Sequence, residues 1–296
     1  MLKLLGKWLK IYEDEISLFL WCAILLFLIR SSNVLFNNFA ETAFLKRYGV
    51  EYLPIVYMIN SVSTFFIMGF MTPIMARLPG SRLLTYMLVF CGGSVAGLRF
   101  VVPLGIDLLY PFLFILKSQY EVLLGLVFWN LANDLFNTRQ SKRLFPLITA
   151  GGVLGGILGS FGTPFLAKTI SLDNLMFAYL GTTMLGAIAV QRMGTRFPTL
   201  LLSDKKAKKG KSRSSVIAEF KKVWPMIRES GLVRILILLT LLPNVVIPIM
   251  NYQFNFAIDQ TFATEGGMIK FFGYFRGVLN VISLIILLFV GRIYGR

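Results

Sequence analysis

Residues 128–160, FWNLANDLFNTRQSKRLFPLITAGGVLGGILGS, decide the fold. An apolar segment ends there in a short polar and basic stretch, and a second apolar segment rich in glycine follows. Long hydrophobic runs lie on both sides, and about 20 apolar residues are enough to cross a bilayer. The pattern therefore indicates two transmembrane helices joined by a basic turn at a membrane surface.

The composition is that of a membrane protein. Of the 296 residues, 56% are hydrophobic and only 15% are charged, whereas soluble domains average about a quarter charged residues. The chain has no His, which argues against zinc sites and against Ser-His or Cys-His catalysis. Cys22 and Cys91 lie far apart in apolar runs, so we expect buried thiols. We therefore predict no enzymatic activity, no cofactor and no metal site.

Hydrophobic length predicts an all-α, polytopic membrane helix bundle of eight spans. The spans are expected at residues 16–37, 52–76, 83–103, 108–133, 145–167, 173–191, 231–256 and 268–291. The chain then divides into a six-helix bundle (1–193), a basic linker (194–230) and the first two helices of an incomplete second bundle (231–296). Within the linker, residues 214–230 are expected to form an amphipathic helix on the membrane surface.

The Lys and Arg residues are concentrated in one set of loops. This set comprises the two termini, Arg77 and Arg82, the stretch 139–143 and the linker, and it accounts for most of the net charge of +16. The positive-inside rule makes these loops and both termini cytoplasmic. The expected location is a bacterial inner membrane, so the charge does not require a nucleic-acid partner.

Small residues recur every fourth position after the basic turn, at Gly151, Gly155 and Gly159 and again at Gly152, Gly156 and Ser160. Such spacing lets helix backbones approach closely in lipid. Close packing is one interpretation of this pattern, and a flexing element in a gate is the other.

Three cations lie well inside the predicted spans, namely Arg30, Lys117 and Arg276. A charge at the bilayer centre costs at least about 2.5 kcal/mol, so it normally faces a partner or a wet cavity. Arg30, Asn33 and Asn37 share one helix face, which makes a polar stripe.

Lys117 and Glu121 are four residues apart and can pair on one helix face, either as a structural pair or as a binding pair. Arg276 has no acidic neighbour on its own helix, so its partner must be another helix or a ligand. Glu121 is the only carboxylate expected deep in the spans, and it could pair with either arginine. Cations and amides suit an anionic solute, although they could equally hold helices together.

The decisive stretch resembles the signature of the ATP/ADP (nucleotide) translocase family. The match consists of a Phe-Trp-x-x-Ala-Asn run ending at Asn133, a polar cap, and a basic-aromatic-Pro-Leu run ending at Leu147. A segment from Ala40 to Lys46 is similar to the family's Ala-Glu…Phe-Leu-Lys segment, and Arg30 matches its span-one arginine. The resemblance implies a part in nucleotide transport for Lys46.

The charge constellation departs from that family. Where the family has a Glu ahead of the Phe-Trp run, this chain has Lys117. The charged residues that follow the span-one arginine are replaced here by uncharged ones, namely Ser31, Ser32, Asn33 and Val34.

The six-plus-two arrangement with its basic linker also resembles the major facilitator superfamily, whose members have two six-helix halves. These resemblances imply a facilitator-type transporter of an organic anion, either a nucleotide or another phosphorylated solute, working by alternating access. The alternative is a non-transporting membrane module that anchors or assembles partner subunits or soluble domains. The expected partners are the lipid bilayer, the anionic solute and further subunits or domains that complete the second half. The predicted substrate-binding residues are Arg30, Asn33, Asn37, Lys46, Lys117, Glu121, Asn133 and Arg276.

Overall fold

The computed structural model describes residues 12–197 and 230–294, and all the regular structure in these ranges is helical. Eight long helices follow one another there, in the order α1 (Ile16–Arg47), α2 (Leu53–Arg77), α3 (Gly80–Arg99), α4 (Leu109–Leu135), α5 (Thr138–Ile170), α6 (Leu175–Arg196), α7 (Gly231–Thr261) and α8 (Glu265–Tyr294). The prediction of an all-α polytopic bundle is confirmed. The predicted amphipathic helix and most of the linker lie outside the described residues, and the division into three domains stays a prediction.

Seven of the eight helices are long and apolar enough to cross a membrane. The exception among the described helices is α6, whose apolar sequence ends early, at Gln191 and Arg192. This helix nevertheless packs inside the bundle, because Tyr179 and Met193 are fully buried. Its crossing of the membrane stays a prediction.

Helix α1 lies at the centre of the bundle and contacts α4, α5, α6 and α8. Between Ser31 and Leu45 every side chain except Asn37 is buried. The predicted end of this span at residue 37 is wrong, since the helix continues to Arg47. The polar residues beyond 37 find partners on neighbouring helices, as when Asn38 donates to Thr163 of α5 at 3.0 Å. The segment that follows the predicted span end, residues 38–47, is therefore a continuation of the same helix, and most of it is buried.

The small residues of α5 bring this helix into backbone contact with α1. A Cβ atom added at Gly155 would lie 2.1 Å from the carbonyl oxygen of Phe27, and one at Gly159 would lie 2.8 Å from that of Ser31. Only glycine allows such an approach. The packing interpretation of the glycine pattern is confirmed, whereas a gating role for it stays a prediction.

The basic turn between α4 and α5 is much shorter than its sequence indicates. Only Phe136 and Asn137 lie outside the two helices, and residues 138–143 already form the first turns of α5. Asn137 starts α5 with a capping box, in which its side chain accepts from the backbone of Gln140 while the Gln140 side chain accepts from its backbone. This cap explains why α5 begins well before the predicted residue 145.

Helices α7 and α8 differ in how much they contact the first six. Helix α8 packs on α5, where Cβ atoms at Gly273 and Gly277 would lie within 2.7 Å of Pro164 and Phe161. Helix α7 touches the other helices near its C-terminal end, and no residue of its most apolar 18-residue window is buried. Its exposed side chains from Leu232 to Met250 are almost all apolar and suit hydrocarbon.

Ion pairs show which ends of the helices lie together. Arg143 at the start of α5 pairs with Glu15, which precedes α1. At the opposite end, Arg47 of α1 pairs with Asp173 of the α5–α6 connection. The pair of Arg143 with Glu15 fits the predicted grouping of the N-terminus and the stretch 139–143 on one side, and the assignment of that side to the cytoplasm stays a prediction.

Candidate binding site

Seven polar side chains from three helices meet near the middle of the bundle, and we call them the central cluster. Helix α1 contributes four of them, α4 two and α8 one: Arg30, Asn37, Asn38, Glu41, Lys117, Glu121 and Arg276. Their polar groups would be costly in an apolar interior without partners, and each has at least one. The cluster joins the first group of helices to α8.

Arg30 and Glu121 form the more open part of the cluster. The guanidinium of Arg30 donates to one carboxylate oxygen of Glu121 at 2.7 Å, and the amide of Asn37 donates to the other at 2.8 Å. The Arg30 and Glu121 side chains remain 42% and 36% exposed.

Glu41 forms the enclosed part. One of its oxygens accepts from the ammonium group of Lys117 at 2.9 Å and also from the guanidinium of Arg276. The side chains of Glu41 and Lys117 are each only 9% exposed, and that of Arg276 is 24% exposed. Arg276 also donates to the side-chain oxygen of Asn38, so α1 holds it by two residues.

Aromatic rings flank both of these cations. The Lys117 ammonium lies 4.0 Å from the ring centre of Phe114, and the Arg276 guanidinium lies 4.8 Å from that of Phe272. Rings at this distance attract cations, most strongly where water is excluded. The aromatic contacts help to keep two positive charges together near one carboxylate.

The expected pairing of Lys117 with Glu121 is wrong. Lys117 turns instead to Glu41 on another helix, while Glu121 binds Arg30. Arg276 does take its partner from another helix, but that partner is Glu41 rather than Glu121. Tertiary contacts with two or more ligating groups outweigh a pair within one helix, which is worth only a few tenths of a kcal/mol, about 0.2–0.5.

Glu41 is the functional candidate that sequence reasoning missed, because the span was ended at residue 37 and Glu121 was taken as the only deep carboxylate. A signal was present: Glu41 lies three helical turns after Arg30 and one after Asn37, so it extends the polar stripe along the same face. Asn38 continues the polar segment in the same way.

Three predicted site residues lie apart from these contacts. Asn33 is buried on α1, and Asn133 is exposed near the C-terminal end of α4. Asn133 is separated from Glu121 by roughly 18 Å along the helix. Lys46 lies at the C-terminal end of α1 and contacts α7. Their roles in binding stay predictions.

Lys46 belongs to a second group of charges, which we call the end cluster: Lys46, Arg47, Asp173, Asp259 and Glu265. Lys46 donates to the carboxylate of Asp259 at 2.7 Å, and Arg47 donates to both oxygens of Glu265 at 2.6 and 2.8 Å. These contacts tie the end of α1 to α7 and α8.

The two clusters have opposite charge balances. The central cluster holds three cations and two carboxylates, whereas the end cluster holds two cations and three carboxylates. Within the described ranges no group of three or more His, Cys, Asp or Glu side chains could hold a metal ion.

These features define a polytopic membrane protein with a charged, partly open interior. A family comparison narrows the class, because residues 94–296 match the model of the TLC ATP/ADP transporter family. The chain belongs to this family, whose members are membrane nucleotide transporters. The match includes the Phe-Trp and Pro-Leu runs and Arg276, while the Arg30 and Lys46 segments precede it. No curated protein and no solved structure matches the chain.

Proposed function

We propose that this protein is a facilitator-type transporter of a nucleotide or another phosphorylated organic anion, working by alternating access. The observation that carries the proposal is the convergence of Arg30, Lys117 and Arg276, from three helices, on only two carboxylates. The surplus positive charge favours an anionic ligand. Family membership supports the nucleotide as its class.

The chemistry of the cluster suits phosphate. A guanidinium presents several donors in a planar fork that matches two phosphate oxygens at once, and such charge-assisted hydrogen bonds are the strong ones. Arg30 and Arg276 supply two forks, and the amides of Asn37 and Asn38 supply neutral polar groups beside them. We assign the more exposed Arg30 to the first contact with the solute.

The position of the cluster supports alternating access. Arg276 lies on α8, whereas its partners Asn38 and Glu41 lie on α1, so a movement of the last two helices against the first six would change the site. In transporters of the facilitator type, two bundles rock about a site near the membrane midplane. The contact of Arg276 with Asn38 and Glu41, between α8 and α1, supports a site of this kind here.

Uptake of labelled ATP by proteoliposomes tests the proposal. Arg30→Ala and Arg276→Ala should each lower saturable uptake by at least about tenfold, because each removes charge-assisted hydrogen bonds worth roughly 1.5–3 kcal/mol. Lys168→Ala is the matched control, since it removes an exposed cation from α5, a helix that contributes no residue to the central cluster. Wild-type uptake in both arginine variants would overturn the assignment of this site.

The second candidate is a non-transporting membrane module that holds partner subunits or domains. It is favoured by one observation: Arg30, Lys117 and Arg276 already have carboxylate partners within the protein. Under this alternative the cluster would only hold helices together. Wild-type proteoliposomes would then accumulate no nucleotide, and neither ATP nor ADP would raise the melting temperature of the purified protein.

A further inference from the structure

The Glu41 carboxylate occupies the position that an anionic ligand would take. A single oxygen of this residue accepts from Lys117 on α4 and from Arg276 on α8. One anionic oxygen bridging two cations from different helices is also how a phosphoryl oxygen would be bound.

The two cations differ in how firmly they are enclosed with Glu41. Lys117 is as buried as Glu41 itself, whereas the Arg276 side chain is 24% exposed. Arg276 is therefore the cation of this group that a ligand can contact with less displacement of the helices.

Releasing Arg276 from Glu41 would leave no buried charge unpaired. Glu41 would keep its 2.9 Å contact with Lys117, and these two charges cancel. Breaking a buried ion pair outright is strongly unfavourable because it leaves an uncompensated charge. The shared carboxylate avoids this cost, because it loses only one of its two partners.

We infer that Glu41 is an internal counter-ion that competes with the phosphate groups of the solute for Arg276, while Lys117 keeps Glu41 in place when Arg276 moves to the ligand. This inference rests on the proposed function and deepens it. Glu41 thus acts as a positioning residue that sets how strongly an anion must bind before the site accepts it. Neutral solutes cannot replace the carboxylate, so the competition favours anions.

The test is binding of sodium pyrophosphate to the purified protein in detergent, measured by isothermal titration calorimetry and by the rise in melting temperature. Glu41→Gln removes the competing charge and leaves a side chain of nearly the same size. The Kd for pyrophosphate should fall roughly tenfold to hundredfold, as expected for freeing one charged hydrogen bond. Glu265→Gln is the matched control, because it removes a carboxylate from the end cluster and should leave the Kd unchanged.

A second variant keeps the test valid if Glu41→Gln does not fold. Glu41→Gln combined with Lys117→Met removes one charge of each sign and leaves Arg276 without its carboxylate. This protein should also bind pyrophosphate several-fold more tightly than the wild type. An unchanged or higher Kd in the variants that fold would overturn the inference.

The pyrophosphate-binding experiment and the ATP-uptake experiment can fail independently of each other. If the wild type accumulates no ATP but Glu41→Gln binds pyrophosphate more tightly, the proposed transport fails and the competition stands. If the wild type accumulates ATP and both Glu41 variants bind pyrophosphate no more tightly, transport stands and the competition fails.

Discussion

The central cluster and the end cluster both include residues of α1, yet they differ in charge and in burial. The central cluster has an excess of cations, and its members range from 9% to 42% exposed. The end cluster has an excess of carboxylates, and its paired side chains are all 15% to 32% exposed. Similar ion pairs can therefore have different roles: a cationic cluster of uneven burial suits an anionic ligand, whereas a cluster with surplus carboxylates and similar burial throughout suits contacts that hold helix ends together.

The largest effect should come from moving the helix that carries both clusters. Gly155→Leu would place a side chain against the backbone of Phe27, where even a Cβ atom would lie 2.1 Å from a carbonyl oxygen. The resulting separation of α5 from α1 should lower the free energy of unfolding by more than about 3 kcal/mol. We expect most of the folded protein to be lost, as measured by fluorescence-detection size-exclusion chromatography.

Gly162→Leu is the control on the same helix, because a Cβ atom at Gly162 would meet nothing within 4 Å. It should leave the folded peak unchanged. Equal recovery of both variants would contradict the view that the contact between α5 and α1 positions the two clusters.

This contact could be predicted from the sequence, since glycines in steps of four have one well-understood use in membranes. The mid-helix positions of Arg30, Lys117 and Arg276 could be predicted too, because each charge interrupts a hydrophobic run. Their partners could not. Helical periodicity indicates only neighbours on the same helix, so it favoured Glu121 as the partner of Lys117. In the structure, Lys117 pairs instead with Glu41 on α1.

The length of α1 explains why span prediction from hydropathy misses Glu41 as the partner of Lys117. The rule ends a span where polar residues begin, and Asn37, Asn38 and Glu41 follow in close succession. In the structure their side chains bond to α4, α5 and α8, so their cost in an apolar interior is offset by contacts that no single segment reveals. A polar stripe that keeps the helical period past a predicted span end is the signal that such a helix continues.

The next largest effect should come from exchanging charges within a pair. In the end cluster, Lys46→Asp should lower the melting temperature, and adding Asp259→Lys should restore it, because an ion pair alone is indifferent to which helix carries which sign. In the central cluster, Arg30→Glu with Glu121→Arg should restore the melting temperature but not ATP uptake. Uptake should stay at least about tenfold below the wild type, because the guanidinium fork has moved from α1 to α4.

The two charge exchanges test whether the central pair binds the solute and whether the end pair acts only through its charges. Full uptake in the exchanged central pair would show that Arg30 and Glu121 act only as a structural pair. Failure of the exchanged end pair to regain its melting temperature would show that the contact depends on more than the two charges, since Lys46 also donates to the backbone carbonyl of Asp259.

The smallest effect should be the difference in how salt changes the stability of the two clusters. Asp259→Asn should destabilise the protein by less than about 1 kcal/mol, since partly exposed ion pairs contribute little. That difference should vanish in 1 M NaCl, where the screening length is about 3 Å. Lys117→Met should keep its destabilisation at every salt concentration, because the pair it breaks is enclosed. Thermal-shift curves of the wild type and both variants at low and high salt measure this, and an equal response to salt would show that the two clusters share one environment.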